Sequence, residues 1–410
     1  MRLRAFRIVL ICSFLLAAGI GWSQDGPIAI RAGQLIDGKG GVTRNVTIVV
    51  EGTKIKSIGP STQRAAYDFS TVTVMPGMID SHVHLETHFG KDGKASSTGE
   101  TAQQTQLYEA ENAYTMLMNG FTATQSIGSR FDPDLRAAIN RGVLPGPRFF
   151  TSIQPVNETT GNVQQIREFV RKIVAEGADL VKIFASKSIR EGGAQTLSDE
   201  QIKAACEEAK SLGKRTWVHA HADSAVRAST MGGCFAVTHG SQVSDATLQL
   251  MAQRGTFFEP NIGLVSQNYI ENKSHYFGIG NFDEAGFKFM EDGIVLKLDM
   301  FKRAMKTRGL KILMGTDAGA GAHGQNARET VYRVQTAGWP AMDAILSTTS
   351  INAEALGMKD QIGTLAPGFE ADIIAVDGDP LKDITALRRV VFVMKAGKVY
   401  KNTAARTSSR

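Results

Sequence analysis

The chain of 410 residues is 42% hydrophobic and 21% charged. That balance excludes a disordered or fibrous protein and leaves room for a large buried core with a smaller second unit. Its formal net charge of +6 identifies no partner, and no basic stripe with interleaved aromatics occurs, so nucleic acid is not predicted to bind.

Residues 1–23 carry Arg2, Arg4 and Arg7, then the apolar run Ile8 to Ala18, then small residues Gly21 and Ser23 ahead of Gln24. This is the layout of a signal peptide and predicts export, periplasmic or secreted. A retained membrane anchor is the competing reading, weakened by an apolar stretch that is short for a span. Without the leader the chain keeps 43 basic and 40 acidic residues and no stretch that reads as a stable membrane span. Cys12 leaves with the leader. Cys206, in a helical pattern, and Cys234, before a strand, could pair in an oxidising compartment, but two cysteines 28 apart are more often buried free thiols than a bridge.

From Pro27 to Val74 short alternating runs (Ile28–Gly33, Val46–Glu51, Lys54–Ile58) separated by glycine turns predict hairpin strands. The same texture returns at Ala371–Asp377, Val390–Lys395 and Lys398–Tyr400. Residues 24–74 and 360–405 are therefore expected to form one small β-sandwich domain built from both termini. Between them, residues 75–359 alternate strand and helix. Strands are predicted to end at His84, Ile127, Ile153, Phe184, His221, His239, Ile262 and Asp317, with a helix start at Asp132-Pro133 and a capping box at Ser198-Asp199-Glu200-Gln201. Eight such repeats predict an α/β fold of the (β/α)8 TIM-barrel type, whose active site lies at the carboxyl ends of the strands.

Polar residues cluster at those ends: His82-Val83-His84, Lys182, His219-Ala220-His221, His239 and Asp317. Side chains alternate faces along a strand, so His82 and His84 share one face, as do His219 and His221. A single buried histidine is ordinarily a core residue with satisfied nitrogens; five at neighbouring strand ends point to metal. Lys182, between Val181 and Ile183, would be driven toward the neutral amine, which can take up carbon dioxide as a carbamate able to bridge two metals. A lysine snorkelling outward is the alternative. Asp317 can both touch a metal and take a proton from a water whose pKa the metal lowers, then pass it to a leaving nitrogen. With imidazole and carboxylate-type ligands zinc is the first choice of metal; manganese, cobalt and iron also suit.

The sequence closely resembles the amidohydrolase superfamily, in the subgroup related to imidazolonepropionase that includes metal-dependent dipeptidases, prolidase-like enzymes and ochratoxin-degrading amidases. The resemblance rests on Met75–His84, Val181-Lys182-Ile183, Val218–Ala222, Thr238-His239-Gly240, Gly315–Gly319 and the tail Ile362–Asp372. It implies two divalent metals, one held by His82, His84 and Asp317 and the other by His219 and His239, bridged by N6-carboxylysine at Lys182. It also implies that His221 faces the substrate's carbonyl or carboxylate, with His323 in a substrate-contacting loop. His88 and His275 carry no such implication and default to solvated loops. The loop Ser152–Gly161 is short and lacks the histidine of many relatives, whereas Asn261–Arg308 is long and aromatic and reads either as a pocket wall or as packed core helices.

The implied activity is hydrolysis of an amide or peptide bond of a small molecule, a dipeptide or N-acyl amino acid, with Asp317 shuttling the proton of a hydroxide shared by the metals. A mononuclear cyclic-amide hydrolase or deaminase, and a lactonase, are the enzyme alternatives. A non-catalytic scaffold is disfavoured because the full ligand set is present. Barrel enzymes of this kind commonly form homo-oligomers, although no feature here specifies one.

Overall fold

The computed structural model describes residues 26–404, so the predicted signal peptide lies outside the described residues. The N-terminal segment contributes β1 (Ile28–Ile36), β2 (Val42–Glu51), β3 (Lys54–Gly59) and β4 (Tyr67–Pro76). The middle then alternates as predicted: β5 (Met78–Val83), α1 (Ala102–Met118), β6 (Phe121–Ser126), α2 (Asp132–Asn140), β7 (Arg148–Thr151), α3 (Val163–Ala175), β8 (Leu180–Phe184), α4 (Asp199–Ser211), β9 (Arg215–Ala220), α5 (Asp223–Met231), β10 (Ala236–His239), α6 (Asp245–Arg254) and β11 (Phe257–Glu259). Six helices follow, α7 (Leu264–Glu271), α8 (Lys273–Tyr276), α9 (Glu284–Lys306), α10 (Ala327–Gln335), α11 (Ala341–Ser347) and α12 (Ser350–Ala355), before β12 (Ile373–Val376), β13 (Val390–Lys395) and β14 (Lys398–Asn402). No helix of the described residues is long and apolar enough to cross a membrane.

Both termini do build one sheet. Its seven strands run β14-β13-β12-β4-β1-β2-β3, and β4 joins the halves, parallel to β1 and antiparallel to β12. The sequence runs did not single out β4, because its first half is polar and its pairing shifts register at a bulge between Ala32 and Gln34. Gly33 sits in that bulge, where an added Cβ would lie 2.0 Å from the Ser70 carbonyl oxygen, so only glycine fits.

The capping box at Ser198 and Gln201 forms, with equivalents at Thr101 and Gln104 and at Asn162 and Gln165. Strands β5-β6-β7 and β8-β9-β10-β11 are parallel sheets. Val156 bonds on both sides of Ile183, donating its N–H to the Lys182 carbonyl and accepting the Phe184 N–H, which links the end of β7 to β8.

The expected eighth strand, Ile312–Asp317, is not a regular strand: only Ile312 and Ala318 make isolated bridges, to Phe258 and Val83. Backbone bonds to both neighbouring strands persist, from Leu313 N–H to the Phe258 carbonyl, from Ser81 N–H to the Met314 carbonyl and from Asp317 N–H to the His82 carbonyl, and side chains serve the groups between them. Arg333 donates to the Leu313 carbonyl, Asn352 brackets Met314 by N–H and carbonyl, Asn261 donates to the Gly315 carbonyl, and Asp80 accepts the Thr316 N–H. Buried backbone groups need partners, not a particular kind of partner. The fully buried pair Arg333–Glu329, at 2.9 Å, ties this segment to the end of β11, since Glu329 also accepts the N–H groups of Ile262, Gly263 and Leu264.

The two cysteines correct the sequence expectation. Cys206 on α4 and Cys234 ahead of β10 are bonded, their Cα atoms 5.1 Å apart. The packing of α4 on α5 brings together residues whose separation in sequence carries no such information. Cys206→Ser is expected to lower unfolding free energy by about 2–4 kcal/mol in denaturant titration under oxidising conditions. No difference from wild type would show that the bridge contributes nothing.

Candidate metal centre

At the carboxyl end of β5, His82 is almost fully buried. Its Nδ1 lies 2.6 Å from a Glu259 carboxylate oxygen and donates to it, which leaves the Nε2 lone pair facing inward. Asp317 Oδ1 stands 3.3 Å from that Nε2 and 3.1 Å from His84 Nε2. Convergent acceptors without a proton between His82 and Asp317 suit a cation, and the donor atoms of His82, His84 and Asp317 all lie within 4.8 Å of one another. Asp317 is held by its N–H to the His82 carbonyl, 2.8 Å, in the left-handed region at φ 54°. Non-glycine residues stay there only when their surroundings enforce it. Burial alone would raise its pKa, but the His82 and His84 rings and the Lys182 ammonium hold its carboxyl well below the usual range.

A second group gathers His219 and His221 from the end of β9 with His239 from the end of β10, again within 4.8 Å. Burial pushes the pKa of His219 down to about 3 and those of His221 and His239 well below the ordinary value. All three are neutral imidazoles with lone pairs available. The geometry therefore brings His221 in with the two predicted ligands. Its Nδ1 is 2.9 Å from the Ser241 hydroxyl, and its ring stacks on His239 with centroids 4.7 Å apart.

Lys182 does not snorkel. It is fully buried, its Nζ is 3.4 Å from His82 Nε2, and it lies 5.3 Å from the centre of the Phe184 ring. Burial pushes its pKa down to about 8 against the fields of Asp317 and Glu259. The residue expected to join two metals is thus in contact with the first group, on the strand beside the one that supplies the second.

Glu259 went unnoticed in the sequence. It closes β11 fully buried, and besides His82 it accepts from the Ser81 hydroxyl at 2.6 Å and Trp217 Nε1 at 2.7 Å. An added Cβ at Gly315 would stand 2.3 Å from its carboxyl carbon, so glycine there makes room for it. Its signal was available, since Phe257-Phe258-Glu259 is another apolar run ending in a polar residue. Carboxylates that orient ligating histidines typically matter 10–100-fold in metal affinity. Glu259→Gln should weaken zinc binding by about that factor in chelator competition, and unchanged affinity would show that Glu259 does not orient His82. Asp80 works similarly on the backbone, accepting from the His82 and Thr316 N–H groups, the Thr316 hydroxyl and the Asn326 amide.

Three other histidines depart from expectation. His323 does not line the cavity over the centre; the loop after Asp317 folds back, and its Nε2 donates to the His84 carbonyl at 3.1 Å, a brace rather than a substrate contact. His88 is buried, its Nε2 2.8 Å from Glu100 and its ring stacked on Tyr108. His275 stacks on Phe89 and bonds the Gly93 carbonyl.

The cavity, about 430 Å³, is floored by His84, His219, His221, His239 and Asp317, a size suited to a small organic molecule. The long segment after β11 forms one wall through Val265, Ser266, Tyr269, Met290 and Lys297, so it is a pocket wall as well as packed helix.

Residues 73–400 match the Amidohydrolase family. Ochratoxinase of Aspergillus niger is 24% identical over 430 residues, covering 91% of this chain and 86% of that protein. A crystal structure of a Xaa-Pro dipeptidase with bound methionine is 29% identical with a TM-score of 0.84, covering 92% of this chain and all (100%) of the other. The crystal structure of the A. niger ochratoxinase, 22% identical, superposes with a TM-score of 0.80 over 92% of this chain and 96% of that one. These likenesses make the fold a TIM-barrel-type α/β fold.

Proposed function

Because the chain belongs to the amidohydrolase family and is a hydrolase acting on carbon–nitrogen bonds, we propose that it is a dinuclear metalloenzyme cleaving the amide or peptide bond of a small substrate such as a dipeptide or N-acyl amino acid. The observation that carries this reading is the pair of convergent donor groups, His82, His84 and Asp317 on one side and His219, His221 and His239 on the other, with Lys182 against His82. A dipeptidase relative makes dipeptides the first class to test.

In this reading His82, His84 and Asp317 would hold one ion and His219 and His239 the other, and a carboxylated Lys182 would supply oxygens shared between the two. Zinc held there would supply Lewis acidity for the scissile carbonyl and lower the pKa of water. Asp317 accepts the proton of the attacking water and delivers it to the departing nitrogen. Glu259 keeps His82 in the tautomer that presents Nε2. His221, its Nδ1 engaged by Ser241, aims Nε2 at the substrate's carbonyl oxygen, consistent with its place among the cavity-lining residues.

We infer further that residues 75–359 close as a full (β/α)8 barrel, that residues 24–74 and 360–405 form a composite β-sandwich domain, and that residues 1–23 direct export to a periplasmic or extracellular compartment. The Cys206–Cys234 bond supports the last point, since disulfides persist in oxidising compartments. A panel of Xaa-amino acid dipeptides, N-acyl amino acids and lactones tests the activity. Hydrolysis of members of the first two sets, lost on chelation and restored by zinc with bicarbonate, is expected. Turnover of lactones alone, or of nothing in the panel, would overturn the reading.

A further inference from the structure

The cavity lining carries charge that the hydrolytic chemistry does not use. Lys297 projects from α9, is 4% exposed, and its Nζ makes one hydrogen bond, to the Ser266 hydroxyl at 3.0 Å. Arg190, on the turn after β8, lies with its guanidinium carbon 4.0 Å from the centre of the Phe282 ring and 5.4 Å from that of Tyr269, and its Nε donates to Asn281 at 2.7 Å. Both line the cavity. Neither forms an ion pair among the described residues, whereas Lys187, the third cation of the lining, faces Glu158 at 3.3 Å and Glu191 at 4.0 Å.

The nearby acids are already engaged. Asp317 sits between His82 and His84, and Glu329 is paired with Arg333. A buried ammonium whose only partner is a hydroxyl is unfavourable in the empty protein. The Lys297 pKa records this, pushed down to about 8 by burial. The aromatic rings of Phe282 and Tyr269 hold Arg190 without neutralising it. An anion entering the cavity would satisfy both groups at once, and a planar carboxylate matches a guanidinium fork.

We propose that Lys297 and Arg190 form a carboxylate subsite that selects substrates whose amino-acid half carries a free carboxyl group. This rests on reading the site as an amide hydrolase, and it assigns the specificity to α9 and the turn after β8 rather than to the metal ligands. His221 is then free for the carbonyl.

Calorimetric titration of the zinc-loaded protein with N-acetyl derivatives of proline, phenylalanine, methionine and leucine, each beside its C-terminal amide, tests this without requiring turnover. At least one carboxylate is expected to bind about tenfold or more tightly than its amide. Lys297→Met, which keeps the side-chain volume, should erase most of that preference with zinc content unchanged, and Lys297→Arg should retain it. Arg190→Gln gives an independent reading and should also reduce the preference. No acid binding more tightly than its amide, or a preference that survives both Lys297→Met and Arg190→Gln, would overturn the subsite. Hydrolysis of neutral and carboxylate substrates alike would sink the subsite and leave the hydrolase reading standing.

Discussion

Lys182→Ala is expected to lower kcat/KM by about a thousandfold or more, the ~4 kcal/mol scale at which a metal stabilises developing charge, and to reduce bound metal below two per chain. The reasoning begins with position. Lys182 is fully buried on β8, with Val181 and Ile183 facing the apolar layer outside and its amine against His82 Nε2. A permanent ammonium there would repel the cations that the surrounding lone pairs invite. A carbamate reverses the sign of the charge and supplies two oxygens. Alanine removes both oxygens and leaves a gap, so small carboxylic acids added to the variant should restore part of the activity, while equivalent amines should not. Full activity in Lys182→Ala would remove the residue from the mechanism.

Asp317→Asn should lower kcat about 10²–10⁴-fold, the usual worth of a positioned proton-transfer group, with a smaller change in KM. Asparagine keeps the shape and one oxygen, so the backbone clasp between the Asp317 N–H and the His82 carbonyl survives, but it can neither take a proton nor balance charge. The contrast with Lys182→Ala is informative. Asp317→Asn should retain more metal than Lys182→Ala and yet be nearly as inactive, because it loses proton transfer as well as one ligand atom. Steady-state kinetics beside metal analysis separate the effects, and a kcat within a few-fold of wild type would place the proton shuttle elsewhere.

Much of this centre was legible because strand alternation is strict: two histidines two residues apart must share a face, and a lysine between Val181 and Ile183 must face away from both. The limits of the reading are equally physical. Glu259 falls inside the predicted strand ending at Ile262 rather than at its end, and only the fold shows its carboxylate turned onto His82. Lys297 lies on a helix, where lysine is ordinarily a surface residue, and nothing local reveals that its face turns into a cavity. The eighth strand keeps backbone bonds to both neighbours but forms no regular ladder, because Leu313, Met314, Gly315 and Thr316 satisfy part of their backbone through Arg333, Asn352, Asn261 and Asp80, side chains far away in sequence. The bond between Cys206 and Cys234 depends on the packing of α4 against α5, which spacing does not encode. His323 was placed beside the substrate by its loop, but the loop folds back onto the His84 carbonyl.

The claim on which the account turns is that two ions act together. Metal-free protein titrated with zinc in the presence of bicarbonate, with hydrolysis of a responsive dipeptide measured at each step, tests it directly. Activity should stay low through the first equivalent and rise through the second, reaching its plateau at two per chain; full activity at one equivalent would contradict it.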